Sequence, residues 1–476
     1  FLLPSTINMK TLSEVKDILE SDVSNEEKKN LLSQFNEDNA KLFSFVVGDD
    51  VETKQNTLRS FISFISSDID KTVCLEALKT IRLLCREPLG LEPLMEESSL
   101  SDILKLSLLG TDFSDDSTTL ECGCEATKIV INITVQKKDN SDEFYGLLHN
   151  MKFTEYCIQA LRKEDLYDGY YFPVVRLLLQ LAGRNSNIKK YALKENLIPH
   201  IANIICTLST RYAEREDLRL GLVDSLSLLF VVSQHLGPLD GPKDPTDDEL
   251  QAYKKLIPVF QNFLTLPNDD PKTHVIVSGT IKSMISVPGA LTDDWDHQST
   301  LRDLLTYLKF ILDSSIVELE SAELTPVLLI LTSISRAIAP ARTIIKDALF
   351  PEWKEFEPQN NMMDPPRQMQ EHDSYGYKIL ELMTCPNIGL YHYSGELMFS
   401  LCDEDADEFV RVVGIGKGAG ILANRGLLNS FSSKIKNPAI HPPRVITEED
   451  VKQWESIMER LERQNSRAGP PGGNSN

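Results

Sequence analysis

The segment Leu75–Leu84, which reads LEALKTIRLL, decides the fold. Four apolar side chains in it recur every third residue, so they form one stripe on an α-helix: Leu75, Leu78, Ile81 and Leu84. Comparable stripes occur further along the chain in CEATKIVINI, PVVRLLLQLA, VDSLSLLFVV and TPVLLILTSI. Residues of corresponding phase in the first four stripes are spaced by 49, 48 and 50 positions: Ala77, Ala126, Val174 and Asp224.

A purely helical pattern that recurs every ~40–50 residues is typical of armadillo and HEAT arrays. Each unit has an apolar face that it cannot bury alone, and stacking the units buries these faces in one continuous core. No Asn-Gly or Asp-Gly turn stands between two alternating strand patterns. The sequence therefore predicts an all-α, armadillo/HEAT-like right-handed superhelical solenoid over residues 10–428, with a concave groove lined by the third helix of each repeat.

Breaks in the helical pattern mark the junctions between helices. After GRNS at 183–186 a short helix should end at Asn196, and a second helix should be opened by Pro199, because proline is tolerated in a first helical turn. Segments rich in Pro, Gly and Asp are predicted to be loops, and they are 110–120, 237–250 and 357–373.

The composition restricts the classes of function. The chain has 476 residues, 49 Lys and Arg and 71 Asp and Glu, so its net charge is −22. This charge argues against a non-specific nucleic-acid binder or a polybasic membrane-surface protein. No apolar run reaches the ~18 residues of a membrane span, and eight scattered cysteines form no disulfide framework. We expect a cytoplasmic monomer without a nucleic-acid partner or a transmembrane segment.

Outside the array the chain changes character. The predicted segments are a disordered or artefactual N-terminus at 1–9, a linker at 429–446, a helix at 447–465 and a disordered tail at 466–476. Segment 1–9 begins with Phe1, and Met9 is a candidate for the true first residue. The predicted helix 447–465 has a narrow apolar stripe on an otherwise charged surface, formed by Val451, Trp454, Ile457, Met458 and Leu461. Such a stripe needs a partner surface, either the array or another protein.

Catalytic and metal-binding motifs are not found. The glycine-rich run 414–420 is no Walker loop, since Lys417 is followed by Gly418 and Arg411 stands where the first glycine should be. We interpret the run as a junction between helices in which glycines permit positive φ. Cys122 and Cys124 have no second ligand pair at zinc spacing, so they are interpreted as small residues at a helix start. The prediction is a protein that is not an enzyme and needs no cofactor or metal.

Polar side chains interrupt the apolar stripes of the predicted third helices. Arg82 and Arg86 share one helical face, and Asn132 interrupts KIVINIT. Arg176 and Arg184 flank the run VRLLLQLAGR, and Arg336 and Arg342 flank the run SRAIAPAR. Arginines that line a groove can hold carboxylates, and an asparagine can donate to and accept from a peptide backbone. The alternative is that these residues are solvated or make contacts between repeats.

Four runs carry a resemblance to a known family. They are TIRLLCREP (80–88), KIVINIT (128–134), APARTIIKDALFPEW (339–353) and FVRVVGIGKGAGILANRGLL (409–428). The chain resembles the synembryn proteins, also called resistance to inhibitors of cholinesterase 8. The resemblance implies an armadillo/HEAT-like superhelix that serves as a folding chaperone and non-receptor guanine-nucleotide exchange factor for α subunits (Gα) of heterotrimeric G proteins, in GDP-bound and nucleotide-free states. It also implies recruitment to the cell cortex or the plasma membrane through Gα.

The same resemblance assigns roles to residues. The C-terminal helix of Gα would bind in the groove at Arg82, Arg86, Asn132, Arg342 and Lys346, to which the residue pattern adds Arg176. The nucleotide-switch region of Gα would contact Val451, Trp454, Ile457, Met458 and Leu461. Where family members carry an acidic, phosphorylated segment, this chain has basic residues, namely Lys434, Lys436 and Arg444. A second hypothesis is an armadillo-type adaptor or transport receptor for a basic linear motif, which would need an acidic or Asn/Trp-lined groove.

Overall fold

The computed structural model describes residues 12–42, 51–67, 69–111, 116–137, 142–163, 166–234, 244–314, 320–351, 353 and 374–428. Within these ranges the chain forms 21 α-helices and one 3-10 helix, with no strand, so the predicted all-α fold is confirmed. No helix in these ranges is both long and apolar enough to cross a bilayer. The chain divides into two compact units, Phe1–Lys417 and Gly418–Asn476, and the packing below is that of the first.

The helices follow one another in the order α1 (Leu12–Glu20), α2 (Asn25–Asp38), α3 (Val51–Ile65), α4 (Lys71–Leu84), α5 (Glu92–Met95), α6 (Glu97–Leu106), α7 (Ser117–Gln136), α8 (Asp142–Asn150), α9 (Phe153–Leu161), α10 (Asp168–Arg184) and α11 (Ser186–Lys194). The second half contains α12 (Leu197–Ser209), α13 (Glu216–Ser233), α14 (Asp247–Leu264), α15 (Pro271–Met284), the 3-10 helix Gly289–Asp294, α16 (His297–Asp313), α17 (Glu320–Ala337), α18 (Ala339–Leu349), α19 (Tyr375–Leu382), α20 (Ile388–Leu401) and α21 (Ala406–Asn424).

One helix from each repeat packs against its counterpart in the next repeat. The contacts run without interruption through eight helices, which we call the ladder helices: α2, α4, α7, α10, α13, α15, α17 and α20. All five apolar stripes of the sequence lie in ladder helices. Ala77, Ala126 and Val174 are fully buried and Asp224 is 3% exposed, so the positions of corresponding phase all face the core.

A second layer of helices completes the core. α3, α6, α9, α12, α14 and α16 pack against α4, α7, α10, α13, α15 and α17 respectively. Each repeat thus buries the apolar face of a ladder helix against its own outer helix and against the neighbouring ladder helices.

The predicted junctions and loops are mostly found where the breaks were expected. Asn196 adopts a left-handed conformation between α11 and α12, and Pro199 lies in the first turn of α12. Two predicted loops are shorter than expected, because Asp116 caps α7 and Thr246 forms a capping box at the start of α14. Acidic and hydroxyl residues in these segments begin helices instead of continuing loops. The predicted loop 357–373 lies outside the described residues.

Cys122 and Cys124 do not begin a helix as expected, since both are buried inside α7. The glycine between them permits a close approach of α10. A Cβ at Gly123 would lie 1.7 Å from the hydroxyl oxygen of Tyr170, and that hydroxyl donates to the Ser107 carbonyl at 3.0 Å. All eight cysteines carry free thiols.

Gly123→Ala is therefore expected to lower the free energy of unfolding by about 1–3 kcal/mol, the usual cost of overpacking a core. Gly183→Ala is the matched control, because no atom lies within 4 Å of a Cβ there, and alanine should stabilise the helix by about 0.5–1 kcal/mol. Urea denaturation followed by circular dichroism measures both. Equal stability of the two variants would contradict the close packing of α7 against Tyr170.

Candidate functional site

Ion pairs connect neighbouring ladder helices. The cation comes from the earlier helix and the carboxylate from the later one in each of four pairs: Arg82–Glu125, Arg176–Asp224, Lys282–Glu323 and Arg336–Glu396. They join α4 to α7, α10 to α13, α15 to α17 and α17 to α20. The N–O distances are 2.6 Å for Arg176–Asp224 and 3.1 Å for Lys282–Glu323. We call these four pairs the rungs.

The two partners of each rung differ in exposure. The carboxylate side chains are only 4–13% exposed, whereas the cationic side chains are 30–38% exposed. Burying a carboxylate is costly unless a cation compensates for the lost hydration, so the acid faces inward and the longer basic side chain reaches toward solvent. On each rung the more exposed partner is therefore the cation, although the whole chain has a net charge of −22.

Burial, nearby cations and hydrogen-bond donors together set the pKa of each buried carboxylate. Burial pushes the pKa of Glu125 upward, but Arg82 and Lys128 together hold it below its ordinary value. The Lys128 ammonium lies 2.8 Å from the Glu125 carboxylate. Asp224 has Arg176 as its ion-pair partner, and burial raises its pKa to about 6. Among Glu125, Glu323 and Asp224, only Asp224 has a raised pKa, so mild acid protonates it before the other two.

This difference predicts a pH dependence of stability. The folded pKa of Asp224 is about 6 and its ordinary value is 3.8. Between these values the unfolded chain releases a proton that the folded chain keeps. The contribution of Asp224 to the free energy of unfolding is therefore fully present below about pH 4 and is lost as the pH rises through 6. The loss amounts to roughly 3 kcal/mol at most. Urea unfolding at several pH values from 4 to 7 measures this loss. Relative to Asp224→Asn, wild type should become less stable as the pH rises, because only wild type loses the contribution of Asp224. Parallel pH profiles would contradict the raised pKa.

The structure brings together three of the residues that the sequence predicted as a peptide site. Asn132 on α7 donates through Nδ2 to the Arg82 carbonyl at 3.1 Å, in the last turn of α4. The Arg86 guanidinium donates to the carbonyls of Ala40 and Leu42 at 2.7 and 3.0 Å. Burial and the nearby charge of Arg82 lower the pKa of Arg86. Two cations and an amide thus lie side by side where α4 ends, and all three are half-buried. We call Arg82, Arg86 and Asn132 the α4–α7 cluster.

Arg176 belongs to a different rung. Its guanidinium carbon lies 5.4 Å from the centre of the Phe172 ring, and its Nε bonds Asp224. Both Arg176 and Arg82 make their rung through Nε, and a guanidinium has more N–H donors than such a bond uses. The rung contacts agree with the alternative that these arginines join repeats, and the two side chains remain 30% and 31% exposed.

Arg342 and Lys346 lie one turn apart on α18, away from the α4–α7 cluster in sequence and in fold. Arg342 forms an ion pair with Asp403, and the Lys346 ammonium lies 3.9 Å from the same carboxylate. Lys346 also lies over the Trp353 ring, 4.4 Å from its centre. The structure therefore places the six predicted groove residues in three groups.

Two further predictions concern the end of the chain. The five residues assigned to the switch region of Gα, from Val451 to Leu461, lie outside the described residues, as do the linker and the tail. The glycine-rich run forms part of α21, and the helix is interrupted only at Gly414, where φ is +76°. This confirms the junction interpretation at that residue. Lys417 donates to the Leu380 carbonyl and to Glu381 at 3.2 and 2.7 Å.

The carboxylates of the rungs are not predicted by the sequence patterns described above. Glu125, Glu323 and Glu396 interrupt no apolar stripe there, and Asp224 marks only the phase of its stripe. A signal existed for Asp224, since a carboxylate in the otherwise apolar run VDSLSLLFVV is costly without a partner. Its partner Arg176 lies 48 positions earlier, one repeat away.

The two-layered stack and its rungs define an α-helical repeat protein of the armadillo and HEAT class. A solved complex of SYS-1 with POP-1 shares this fold with a TM-score of 0.52 at 12% identity, over 90% of this chain and 77% of that chain. The chain belongs to the Ric8 family, described as guanine nucleotide exchange factor synembryn, which matches residues 77–463. The family resemblance read from the four sequence runs is thereby confirmed.

Two relatives illustrate the membership. The protein called Chaperone Ric-8A in Xenopus laevis is 22% identical over 83% of this chain and 77% of its own length. Chaperone Ric-8B of Rattus norvegicus is 22% identical over 84% of each chain.

Proposed function

We propose that this chain is a chaperone and guanine-nucleotide exchange factor for Gα, and that its ladder binds the C-terminal helix of Gα. The observation that supports this most is that the more exposed partner of each rung is the cation, in a chain of the Ric8 family that is acidic as a whole. The positive charge of these cations favours binding of an acidic segment and disfavours binding of the basic linear motif of the adaptor hypothesis.

The α4–α7 cluster supplies the chemistry for such a ligand. Arg82 and Arg86 would hold carboxylates by charge-assisted hydrogen bonds, and Asn132 would bond a peptide group. Arg176, Arg342 and Lys346 would extend the contact to later repeats. Hydrogen bonds to neighbouring segments hold Arg86, Asn132, Arg176 and Arg342, so these side chains lose little conformational entropy on binding.

Exchange follows from where the Gα helix is held. A helix bound along the ladder is no longer packed against the GTPase core, and the nucleotide pocket built on the base of that helix loosens. GDP then dissociates, and the ladder with the predicted helix 447–465 holds the open Gα until GTP binds. The shift requires that the chain bind open Gα more tightly than closed Gα.

The same preference explains chaperoning. A nascent Gα without nucleotide resembles the open state, so the surface that promotes exchange would also stabilise a folding intermediate. The work is done by differential binding, and no bond is made or broken by this chain.

A pull-down from lysate tests the proposal. Immobilised chain should retain Gα in buffer without nucleotide, and addition of GTP with Mg²⁺ should release it. Retention that is equal with and without nucleotide would contradict the preference for open Gα, and failure to retain Gα in either buffer would overturn the proposal.

A further inference from the structure

The turn between α20 and α21 is strained. Asp403 and Glu404 both have positive φ, +58° and +57°, and neither is a glycine. A left-handed conformation costs a non-glycine residue roughly 1 kcal/mol or more. Both carboxylates also follow the C-terminus of α20, where the helix dipole disfavours negative charge. Both the positive φ values and the position of the two negative charges after a helix C-terminus therefore disfavour this turn.

Cations from two other helices hold the turn in place. Arg342 on α18 forms an ion pair with Asp403, and Arg336 on α17 donates to Glu404 at 2.8 Å. Lys346 lies one turn from Arg342, so the two positive charges repel each other unless an anion lies between them. Asp403 lies beside both cations, and Glu408 is a further carboxylate that acts on Lys346.

The exposure of this ion pair is the reverse of that in the rungs. Asp403 is 64% exposed, while Arg342 and Lys346 are only 19% and 20% exposed. In the Arg176–Asp224 rung the carboxylate is 4% exposed. Releasing a buried carboxylate from its partner is costly, whereas an exposed carboxylate regains its hydration at once. Asp403 is therefore replaceable in a way that Asp224 is not.

The two cations are held independently of Asp403. Arg342 donates through Nε to the Ser335 carbonyl at 2.9 Å, which fixes the plane of its guanidinium. Lys346 is positioned by the Trp353 ring, and the Trp353 indole in turn donates to Glu408 at 3.1 Å. A site whose charged groups are already oriented can accept a different anion without rebuilding.

We propose that Asp403 is an internal substitute ligand in a carboxylate-binding site formed by Arg342 and Lys346, and that a carboxylate of the bound partner replaces it. The inference rests on the proposed function, since the partner segment is the C-terminal part of Gα. The incoming group can be the terminal carboxylate or an acidic side chain. Replacement releases the strained turn, so a partner with a correctly placed carboxylate gains affinity and one without it competes with Asp403.

The test is the affinity of a fluorescent peptide with the C-terminal sequence of a Gα subunit, measured by anisotropy with the full chain. Asp403→Asn removes the charge, and asparagine tolerates the left-handed conformation, so the turn keeps its shape. If Asp403 occupies the site about 70–90% of the time, the variant should bind the peptide about three to ten times more tightly than wild type.

Asp405→Asn is the matched control. It changes the net charge by the same amount as Asp403→Asn, at a position two residues further along the chain. Asparagine can also keep the helix-capping hydrogen bond that Asp405 accepts from the Glu408 amide at 2.7 Å. Its affinity should equal that of wild type. A gain in Asp405→Asn as large as in Asp403→Asn would assign the effect to net charge and overturn the inference.

Peptide variants identify the carboxylate. A peptide with an amidated C-terminus tests the terminal group, and peptides with single Asp→Asn or Glu→Gln changes test side chains. The peptide that lacks the replacing carboxylate should lose the advantage of Asp403→Asn over wild type. Equal binding of the unmodified peptide by wild type and Asp403→Asn would overturn this inference alone, whereas no binding by either would overturn the proposed function with it.

Discussion

The double variant Arg82→Ala, Arg86→Ala is expected to bind a Gα C-terminal peptide about 10 to 100 times more weakly than wild type. A hydrogen bond to a charged group contributes about 1.5–3 kcal/mol, and each factor of ten in affinity corresponds to about 1.4 kcal/mol. The two cations lie next to each other at the end of α4, so one peptide carboxylate can contact both. Isothermal titration calorimetry with purified chains measures the change.

A loss of affinity must be separated from damage to the ladder, because Arg82 also neutralises Glu125. Lys128 remains beside Glu125 in the variant, 2.8 Å away, which limits that damage. Arg211→Ala is the control, since it breaks an ion pair with Asp168 at 2.9 and 2.6 Å that lies outside the rungs. It should keep wild-type affinity. Undiminished affinity of the double variant, with an unchanged melting temperature, would exclude Arg82 and Arg86 from the site.

Periodicity was sufficient to predict the ladder. Apolar residues at three- and four-residue spacing must face one neighbour in any helix, and a recurrence of about 50 residues leaves few ways to arrange the neighbours. The stripe in LEALKTIRLL therefore located α4, and the later stripes located α7, α10, α13 and α17. Residues that begin helices were less predictable, because Asp116 and Thr246 occur in segments whose composition is that of loops.

The partners of the site residues could not be predicted, because they depend on how one helix is rotated against the next. Arg82 and Glu125 are 43 positions apart, and a small rotation of α7 would point Glu125 into solvent. The spacing of repeats fixes which helices are neighbours but not which side chains meet. The site at Arg342 depends further on two left-handed residues, and side-chain pattern carries little information about such backbone geometry.

A chain that ends after Leu428 is expected to bind the Gα C-terminal peptide with the affinity of the full chain. With this shorter chain, intact Gα should release GDP at least about ten times more slowly than with the full chain. The ladder alone contacts the peptide in our proposal, whereas the open Gα is held by the ladder and by the predicted helix 447–465. A tenfold loss corresponds to about 1.4 kcal/mol, less than burial of one large apolar side chain contributes. Release of a fluorescent GDP analogue from Gα measures the rate.

Point variants in the full chain show whether the apolar stripe is responsible. Trp454→Asp with Ile457→Asp places two charges on the stripe, so GDP release should fall toward that of the truncated chain while peptide affinity is unchanged. Lys452→Ala with Glu459→Ala alters the charged face of the same predicted helix without changing the net charge, so it should behave like wild type. If the stripe variant and the charged-face variant promote exchange equally, the ladder must open Gα without help, and the switch-region role assigned to Val451, Trp454, Ile457, Met458 and Leu461 is wrong. If both lose activity, the contact is made by the whole helix surface, and charge as well as apolar burial holds the open Gα.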